Sequence, residues 1–292
     1  MSQPQKLRQI LQKPDILVVP GIYDCISAQL AEKAGFEALF TSGFGISAST
    51  LGRPDYGLLT ATENLYTIGR IVQSINIPLV ADLDTGYGNP LNVIRTVTDA
   101  IQAGISGIIL EDQEWPKKCG HMENKRVISA AEHIQKIKAA VHAKADSNLV
   151  IIARTDARAP LGLDEAIQRG RAYYEAGADI LFIEAPQTLE ELKIIAQSLP
   201  NIPLFANMIE GGKTPMLTPA ELQTLGYKIV VFPLAGLFAA TKAMQTCFHH
   251  LKQNGTTTGF KDLVNFQEFE EIINLPKYRQ IEQQFKPENT HL

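Results

Sequence analysis

Residues 111–121, Glu111-Asp112-Gln113-Glu114-Trp115-Pro116-Lys117-Lys118-Cys119-Gly120-His121, gather acids, two lysines, a cysteine and a histidine directly after the apolar run Gly107-Ile108-Ile109-Leu110. An apolar strand gains no stability from ending this way, and catalytic groups are often carried on loops held by a rigid scaffold. Cys119 is the group here best suited to handling a proton. Lys117, Lys118 and His121 beside it are expected to lower the thiol pKa. Burial of an inert cysteine is not expected within Lys-Lys-Cys-Gly-His. A zinc site would need two more soft ligands, and no second Cys/His pair stands at suitable spacing. Cys25 and Cys247 sit in apolar helical contexts and read as core. His133, His142, His249, His250 and His291 read as helix-surface or tail residues, and Trp115 as part of the loop's hinge.

Other candidates follow apolar runs in the same way. Asp82, Asp84 and Glu111 are hard oxygen donors, which suits Mg²⁺, an ion that takes a few carboxylates plus water and substrate oxygens. A single acid at a strand end could as well cap the next helix. Three of them, with Asp156 and Glu184 nearby, would repel one another without a cation. Ser42-Gly43-Phe44-Gly45 offers a hydroxyl and backbone N–H groups that glycine lets an anion approach, or else an ordinary turn. Arg154 could grip a carboxylate in two-pronged fashion or pair with Asp156 or Glu184.

The elements that must position these groups are legible in the pattern. Apolar runs at 16–20, 38–42, 79–82, 107–110, 150–153, 180–183, 203–206 and 229–232 read as strands buried on both faces. Ala34-Gly35-Phe36, Ala103-Gly104-Ile105, Ala176-Gly177-Ala178 and Leu225-Gly226-Tyr227 each lead from a helical stretch into such a run, with glycine ending the helix in the left-handed conformation. Eight strand-plus-helix units predict an α/β fold with a parallel sheet, closed as a (β/α)8 barrel. An open doubly wound sheet fits less well, because polar residues follow nearly every strand and not one switch point alone. The expectation is a single barrel domain over 1–292, with helices from about 256–288 packed on the barrel or on a neighbouring subunit, and a frayed tail at 286–292.

Composition bounds the function. The chain has 292 residues, 45% hydrophobic and 20% charged, as in an ordinary globular enzyme. A net charge of -4 with interspersed signs argues against nucleic acid or an anionic membrane as partner. No run is long enough to span a bilayer, the first residues lack a signal peptide's apolar core, and three scattered cysteines point to a reducing cytoplasm.

The same residues carry a resemblance. Lys117-Lys118-Cys119-Gly120-His121, Asp82-Leu83-Asp84-Thr85-Gly86-Tyr87-Gly88, Leu110-Glu111-Asp112-Gln113 and Ala153-Arg154-Thr155-Asp156-Ala157 resemble the motifs of the isocitrate lyase/phosphoenolpyruvate mutase superfamily over nearly the whole chain. The stretch 207–215 is similar to the 2-alkylmalate lyase and petal-death branch, with methylisocitrate lyases near. The resemblance implies a homotetramer, a dimer of dimers with the eighth helix exchanged between subunits. It implies Mg²⁺, with Mn²⁺ able to stand in, held by Asp82, Asp84 and Glu111 mostly through water. The 2-oxo-acid part of a small anionic carboxylate would sit against Ser42, Gly43, Gly45, Asp82 and Arg154, with Asp55 a further active-site acid. The second carboxylate would meet Gly120, His121, Glu184 and Asn207.

The implied reaction is cleavage of a 2-hydroxy di- or tricarboxylate to a 2-oxo acid such as pyruvate, with Cys119 protonating the departing carbon, helped by Arg154 and His121. A hydroxyl on the metal, Tyr23 or an acid would take the hydroxyl proton. Relatives that hydrolyse oxaloacetate carry a serine just after the last strand, where this chain has Pro233. Phe182, Val231 and Pro233 would form an alkyl pocket. The alternatives are oxaloacetate hydrolysis and phosphonate-forming mutase chemistry, in which phosphoryl rearrangement needs no carbon acid.

Overall fold

The computed structural model describes residues 1–286, so His291 and most of the expected tail lie outside the described residues. Eight parallel strands close into a barrel in chain order, as the sequence predicts. They are β1 (Leu17–Ile22), β2 (Leu39–Thr41), β3 (Leu79–Asp82), β4 (Gly107–Glu111), β5 (Val150–Thr155), β6 (Ile180–Ile183), β7 (Leu204–Asn207) and β8 (Tyr227–Phe232). Closure is made by β1 against β8, from Leu17 opposite Ile229 to Pro20 opposite Phe232. The helices are α1 (Gln3–Gln12), α2 (Cys25–Lys33), α3 (Gly43–Ile46), α4 (Ala61–Gln73), α5 (Pro90–Gln102), α6 (Ala130–Lys144), α7 (Arg158–Leu161), α8 (Leu163–Glu175), α9 (Leu189–Ser198), α10 (Pro219–Leu225), α11 (Ala235–Asn254), α12 (Phe266–Ile272) and α13 (Leu275–Gln284).

Local chemistry sets the ends of these helices. Asp24, Thr60, Asn89, Ser129, Thr188 and Thr218 each accept an amide of the first turn. Gly35, Gly104, Gly177 and Gly226, the four junction glycines, have φ of 92°, 83°, 108° and 98°, the left-handed region predicted for them.

Two apolar layers follow from the period-2 alternation of strand side chains. Val19, Phe40, Val80, Ile109, Ile152, Phe182, Phe205 and Val231 fill the barrel interior. Leu39, Ala81, Ile108, Leu110, Ile151, Ala153, Leu181, Ile183, Ala206 and Val230 face the helices. Helix α1 adds Leu7 and Ile10 to the interior cluster, and Leu7 lies so close to Gly107 that a Cβ there would meet its Cδ2 at 3.2 Å. Helix α1 thereby covers part of the amino-terminal end of the barrel, while the polar candidates stand at the carboxyl end.

The chain divides into two compact units, Met1–Leu237 and Phe238–Leu292. The second unit carries most of α11 together with α12 and α13, and an Arg279–Glu270 ion pair at 3.0 Å ties the last two helices. Phe248, Phe266, Tyr278 and Phe285 in this unit are exposed. Among the described residues no helix is long and apolar enough to cross a membrane.

Candidate active site

The interior alternation runs to the carboxyl ends of the strands, and one residue past β2 and β6, and selects the site. Two residues beyond Phe40, Val80, Ile109, Ile152, Phe182 and Phe205 stand Ser42, Asp82, Glu111, Arg154, Glu184 and Asn207, each on the inward parity of its strand. Five of these, all but Glu111, line one cavity with Asp55, Cys119, Gly120 and His121. Glu111 joins the group through Arg154, whose Nε lies 3.2 Å from Glu111 Oε2. None of Asp82, Asp84, Glu111, Asp156 or Glu184 is the N-cap residue of a described helix, so capping does not account for them.

The electrostatics are those of a crowded, buried acid cluster. Arg154 donates from Nε and Nη2 to Asp156 at 2.9 and 3.0 Å and lies 3.2 Å from Glu184. Burial disfavours its charge, but Asp156, Glu111 and Glu184 outweigh that and hold the guanidinium protonated. Its pairing with Asp156 and Glu184 and its place in the cavity wall therefore coexist. Lys117 is 2% exposed, with Nζ between Asp55 at 2.6 Å and Asp84 at 2.7 Å. Burial pushes the Asp84 carboxyl up to about 7, against the pull of Lys117. Burial also raises Glu111 well above the carboxylate range, with Arg154 opposing. Gly43 permits this crowding: a Cβ there would meet Asp82 Oδ2 at 3.2 Å and Asp84 Oδ1 at 3.3 Å, and its own N–H donates to Asp82 at 3.3 Å. Gly45 packs on Tyr23, whose phenol is pushed up by burial and so makes a poor base.

Two sequence expectations are corrected here. The lysines beside Cys119 do not bring its thiol below the ordinary value: Lys117 turns to the two aspartates and its downward pull is outweighed, and Lys118 Nζ donates to Asn124 O at 3.2 Å. Burial instead pushes Cys119 up to about 11, with a backbone contact from His121 opposing and Asp55 and Glu184 adding to the rise. The thiol is half-buried in the cavity wall and stays protonated at neutral pH. His133, read as a helix-surface residue, is fully buried against Tyr173, and burial lowers its imidazole to about 3.

The loop after β4 closes the cavity. Cys119 N–H donates to Asp55 O at 3.2 Å. His121 Nδ1 accepts from the Lys213 amide at 2.8 Å, so the neutral ring carries its proton on Nε2, which faces Glu184 Oε1 at 3.2 Å. Asn207 Nδ2 reaches the same carboxylate at 3.4 Å. Gly120 touches the floor: a Cβ on it would meet Arg154 Nη2 and Glu184 Cδ at 2.5 Å. The other half of the wall is apolar, with Phe182, Val231 and Pro233 joined by Phe40, Phe44, Phe205, Ile209 and Leu234. Sequence reasoning missed Lys117 as a member of the acid cluster, and it missed Lys125, which lacks any strand-end pattern.

A metal fits this donor set. Asp84 Oδ1 and Glu111 Oε2 are buried without a hydrogen bond, their contacts with Lys117 and Arg154 being ion pairs only. Six buried acids (Asp55, Asp82, Asp84, Glu111, Asp156 and Glu184) face three buried bases, Lys117, Lys125 and Arg154. Among the described residues no three side chains form a ready-made cage.

The model of the phosphoenolpyruvate phosphomutase family matches residues 7–252. The chain belongs to this family. Its relatives include 2,3-dimethylmalate lyase of Eubacterium barkeri, 46% identical over 98% of this chain and 99% of that one. They also include the petal death protein of Dianthus caryophyllus, 44% identical over 96% and 88% of the two chains. The 2-methylisocitrate lyase of Halalkalibacterium halodurans is 41% identical over 95% and 91%. Among solved structures, a 2,3-dimethylmalate lyase described as a PEP mutase/isocitrate lyase superfamily member superposes with a TM-score of 0.93 at 35% identity, covering 97% of this chain and 95% of that one. Oxaloacetate acetylhydrolase with 3,3-difluorooxalacetate gives 0.93 at 35%, covering 97% of each. Phosphonopyruvate hydrolase with oxalate and Mg²⁺ gives 0.89 at 33%, covering 98% and 99%. The family's barrel therefore serves lyases, hydrolases and mutases alike, and only residues can separate them.

Proposed function

We propose that this chain is a Mg²⁺-dependent carbon–carbon lyase acting on a 2-alkylmalate or 2-methylisocitrate. The observation that carries the reading is the free Cys119 thiol in the wall of the cavity that Asp82, Arg154 and Glu184 also line. Cleavage leaves a carbanion equivalent that needs a proton donor, and phosphoryl rearrangement does not. Full-length likeness to 2,3-dimethylmalate lyase supports the same choice.

Taking 2,3-dimethylmalate as substrate, a carboxylate of the buried acid cluster takes the 2-hydroxyl proton and the C2–C3 bond breaks. The electron pair passes to C3 and its carboxylate, and Cys119 delivers the thiol proton to C3. The products are pyruvate and propionate. Arg154 and Ser42 hold the 2-oxo-acid half, while His121, Gly120 and Asn207 meet the other carboxylate, with Glu184 orienting His121. The closed loop keeps water from the carbanion. Asp82, Asp84 and Glu111 would hold Mg²⁺, which would supply charge stabilisation to the substrate oxygens, and Mn²⁺ would serve as well; a phosphonopyruvate hydrolase of the same fold is solved with oxalate and Mg²⁺. Phe182, Val231 and Pro233 take the alkyl group. Pro233 lines the cavity at the position where the family resemblance implies a serine for oxaloacetate hydrolysis, and so disfavours that reaction.

The exposed apolar side chains of the second unit support a helix-exchanged homotetramer, and three free cysteines fit a cytoplasmic setting. Purified protein with Mg²⁺ should release pyruvate from 2,3-dimethylmalate or 2-methylisocitrate in a lactate-dehydrogenase-coupled assay. No pyruvate from either, or clean conversion of phosphonopyruvate by phosphorus NMR, would overturn the reading.

A further inference from the structure

Lys125 has no part in the reaction described, yet its ammonium is buried beneath the loop that carries Cys119. Its side chain is 1% exposed and that of Asp156 is 0% exposed, with Nζ 2.6 Å from Asp156 Oδ1. The same Nζ donates to the backbone carbonyl of Gly120, five residues back along the loop. Burying an ammonium is costly, and an apolar side chain of similar volume is often as stabilising or more so. The position is better explained by geometry than by stability.

Both ends of this contact matter to the site. Gly120 lies between the thiol-bearing Cys119 and His121. Asp156 accepts Arg154 Nε and Nη2 at 2.9 and 3.0 Å, so it orients the guanidinium in the cavity wall. Asp156 is itself fixed, since its amide donates to Asp112 Oδ1 at 2.8 Å. The other Asp112 oxygen accepts from Thr155, Tyr173 and Arg169 at 2.7, 2.8 and 3.1 Å. Upstream, Glu114 N–H bonds Arg126 O at 2.9 Å and Gln113 bridges Val127, so the loop has a stem from which Lys125 projects.

We propose that Lys125 is a positioning residue, a latch that ties the Gly120 carbonyl to Asp156 and so sets the Cys119 loop and Arg154 as one unit. The latch itself is independent of the lyase assignment; only the turnover arm of its test rests on that reading. Removing the ammonium frees the loop tip to open without dismantling the barrel, because stem and barrel keep their own bonds.

The test compares Lys125→Met with Lys125→Arg in the full chain. Alkylation of Cys119 by iodoacetamide at pH 8, read site by site by mass spectrometry, should run about tenfold faster in Lys125→Met. Lys125→Arg should restore most of the protection. Turnover should fall mainly in kcat, by about 100-fold, with a smaller change in KM. If Lys125→Met does not fold, Lys125→Gln, which keeps a donor for Gly120 O without the charge, should give an intermediate alkylation rate. A lowered melting temperature with unchanged Cys119 alkylation in folded Lys125→Met or Lys125→Gln would overturn the latch. A wild-type protein without lyase activity would remove the lyase reading, and the alkylation comparison would still decide the latch.

Discussion

Gly120→Ala tests whether the closed loop is the conformation that reacts. Gly120 is not among the residues with positive φ, so alanine is conformationally acceptable there and any effect is steric. The new methyl carbon would sit 2.5 Å from Arg154 Nη2 and 2.5 Å from Glu184 Cγ and Cδ. Ordinary contact begins at 3.4 Å, so the loop must withdraw by close to 1 Å or push those two side chains aside. Misplacement by 1 Å in an active site costs on the order of 100-fold in rate, equivalent to about 2.7 kcal/mol of transition-state stabilisation. Steady-state kinetics on 2,3-dimethylmalate should show that loss in kcat/KM. The melting temperature should stay within about 4 °C, because the change falls in a loop outside the apolar layers. Calorimetric Mg²⁺ affinity should be unchanged. Wild-type kcat/KM in a folded Gly120→Ala protein would refute the reasoning.

Three further outcomes are expected. Relative to a thiol at 9.0, one raised to about 11 holds about 100-fold less thiolate at pH 8, so iodoacetamide should modify Cys119 about 100-fold more slowly than a free cysteine, with reactivity rising through pH 11. The proton donor accordingly stays competent across neutral and mildly alkaline pH and is lost only as pH climbs through about 11; loss of donor function near pH 8 would contradict this. Asp84→Ala should weaken Mg²⁺ binding by about 10- to 100-fold by calorimetry and abolish turnover, and unchanged affinity would remove Asp84 from the metal site. Each methyl taken from 2,3-dimethylmalate should lower kcat/KM by roughly tenfold if the wall of Phe182, Val231 and Pro233 receives it, whereas malate turned over as well as the dimethyl acid would empty that pocket of meaning.

The barrel was legible because its signals are local and repeated. Gly35, Gly104, Gly177 and Gly226 end helices for reasons of backbone geometry that no tertiary contact has to supply. Ser42, Asp82, Glu111, Arg154, Glu184 and Asn207 could be found because a polar residue ends a buried run, and strand alternation then dictates that they share the interior. What depends on where a long side chain turns was not legible. Lys117 and Lys118 adjoin Cys119 in the chain, but the first reaches across to Asp55 and Asp84 and the second to Asn124. Burial therefore outweighs the downward pull of the sequence neighbours His121 and Lys117 on the thiol. His133 sits on a helix of mixed polarity whose buried stripe also holds Lys136, so its inward face had no clean pattern. Lys125 lies in a polar loop where only the folded stem shows which lysine points in.

The most direct measurement of the central claim is turnover of 2,3-dimethylmalate in D₂O with Mg²⁺, followed by proton NMR and mass spectrometry of the products. Wild-type protein should give pyruvate and propionate carrying one solvent deuteron at C2, bound to a single face of that carbon, and folded Cys119→Ala should give neither product at a measurable rate. Cys119→Ala that produces the same stereospecifically labelled propionate at the wild-type rate would show that the thiol is not the proton donor and would contradict the account.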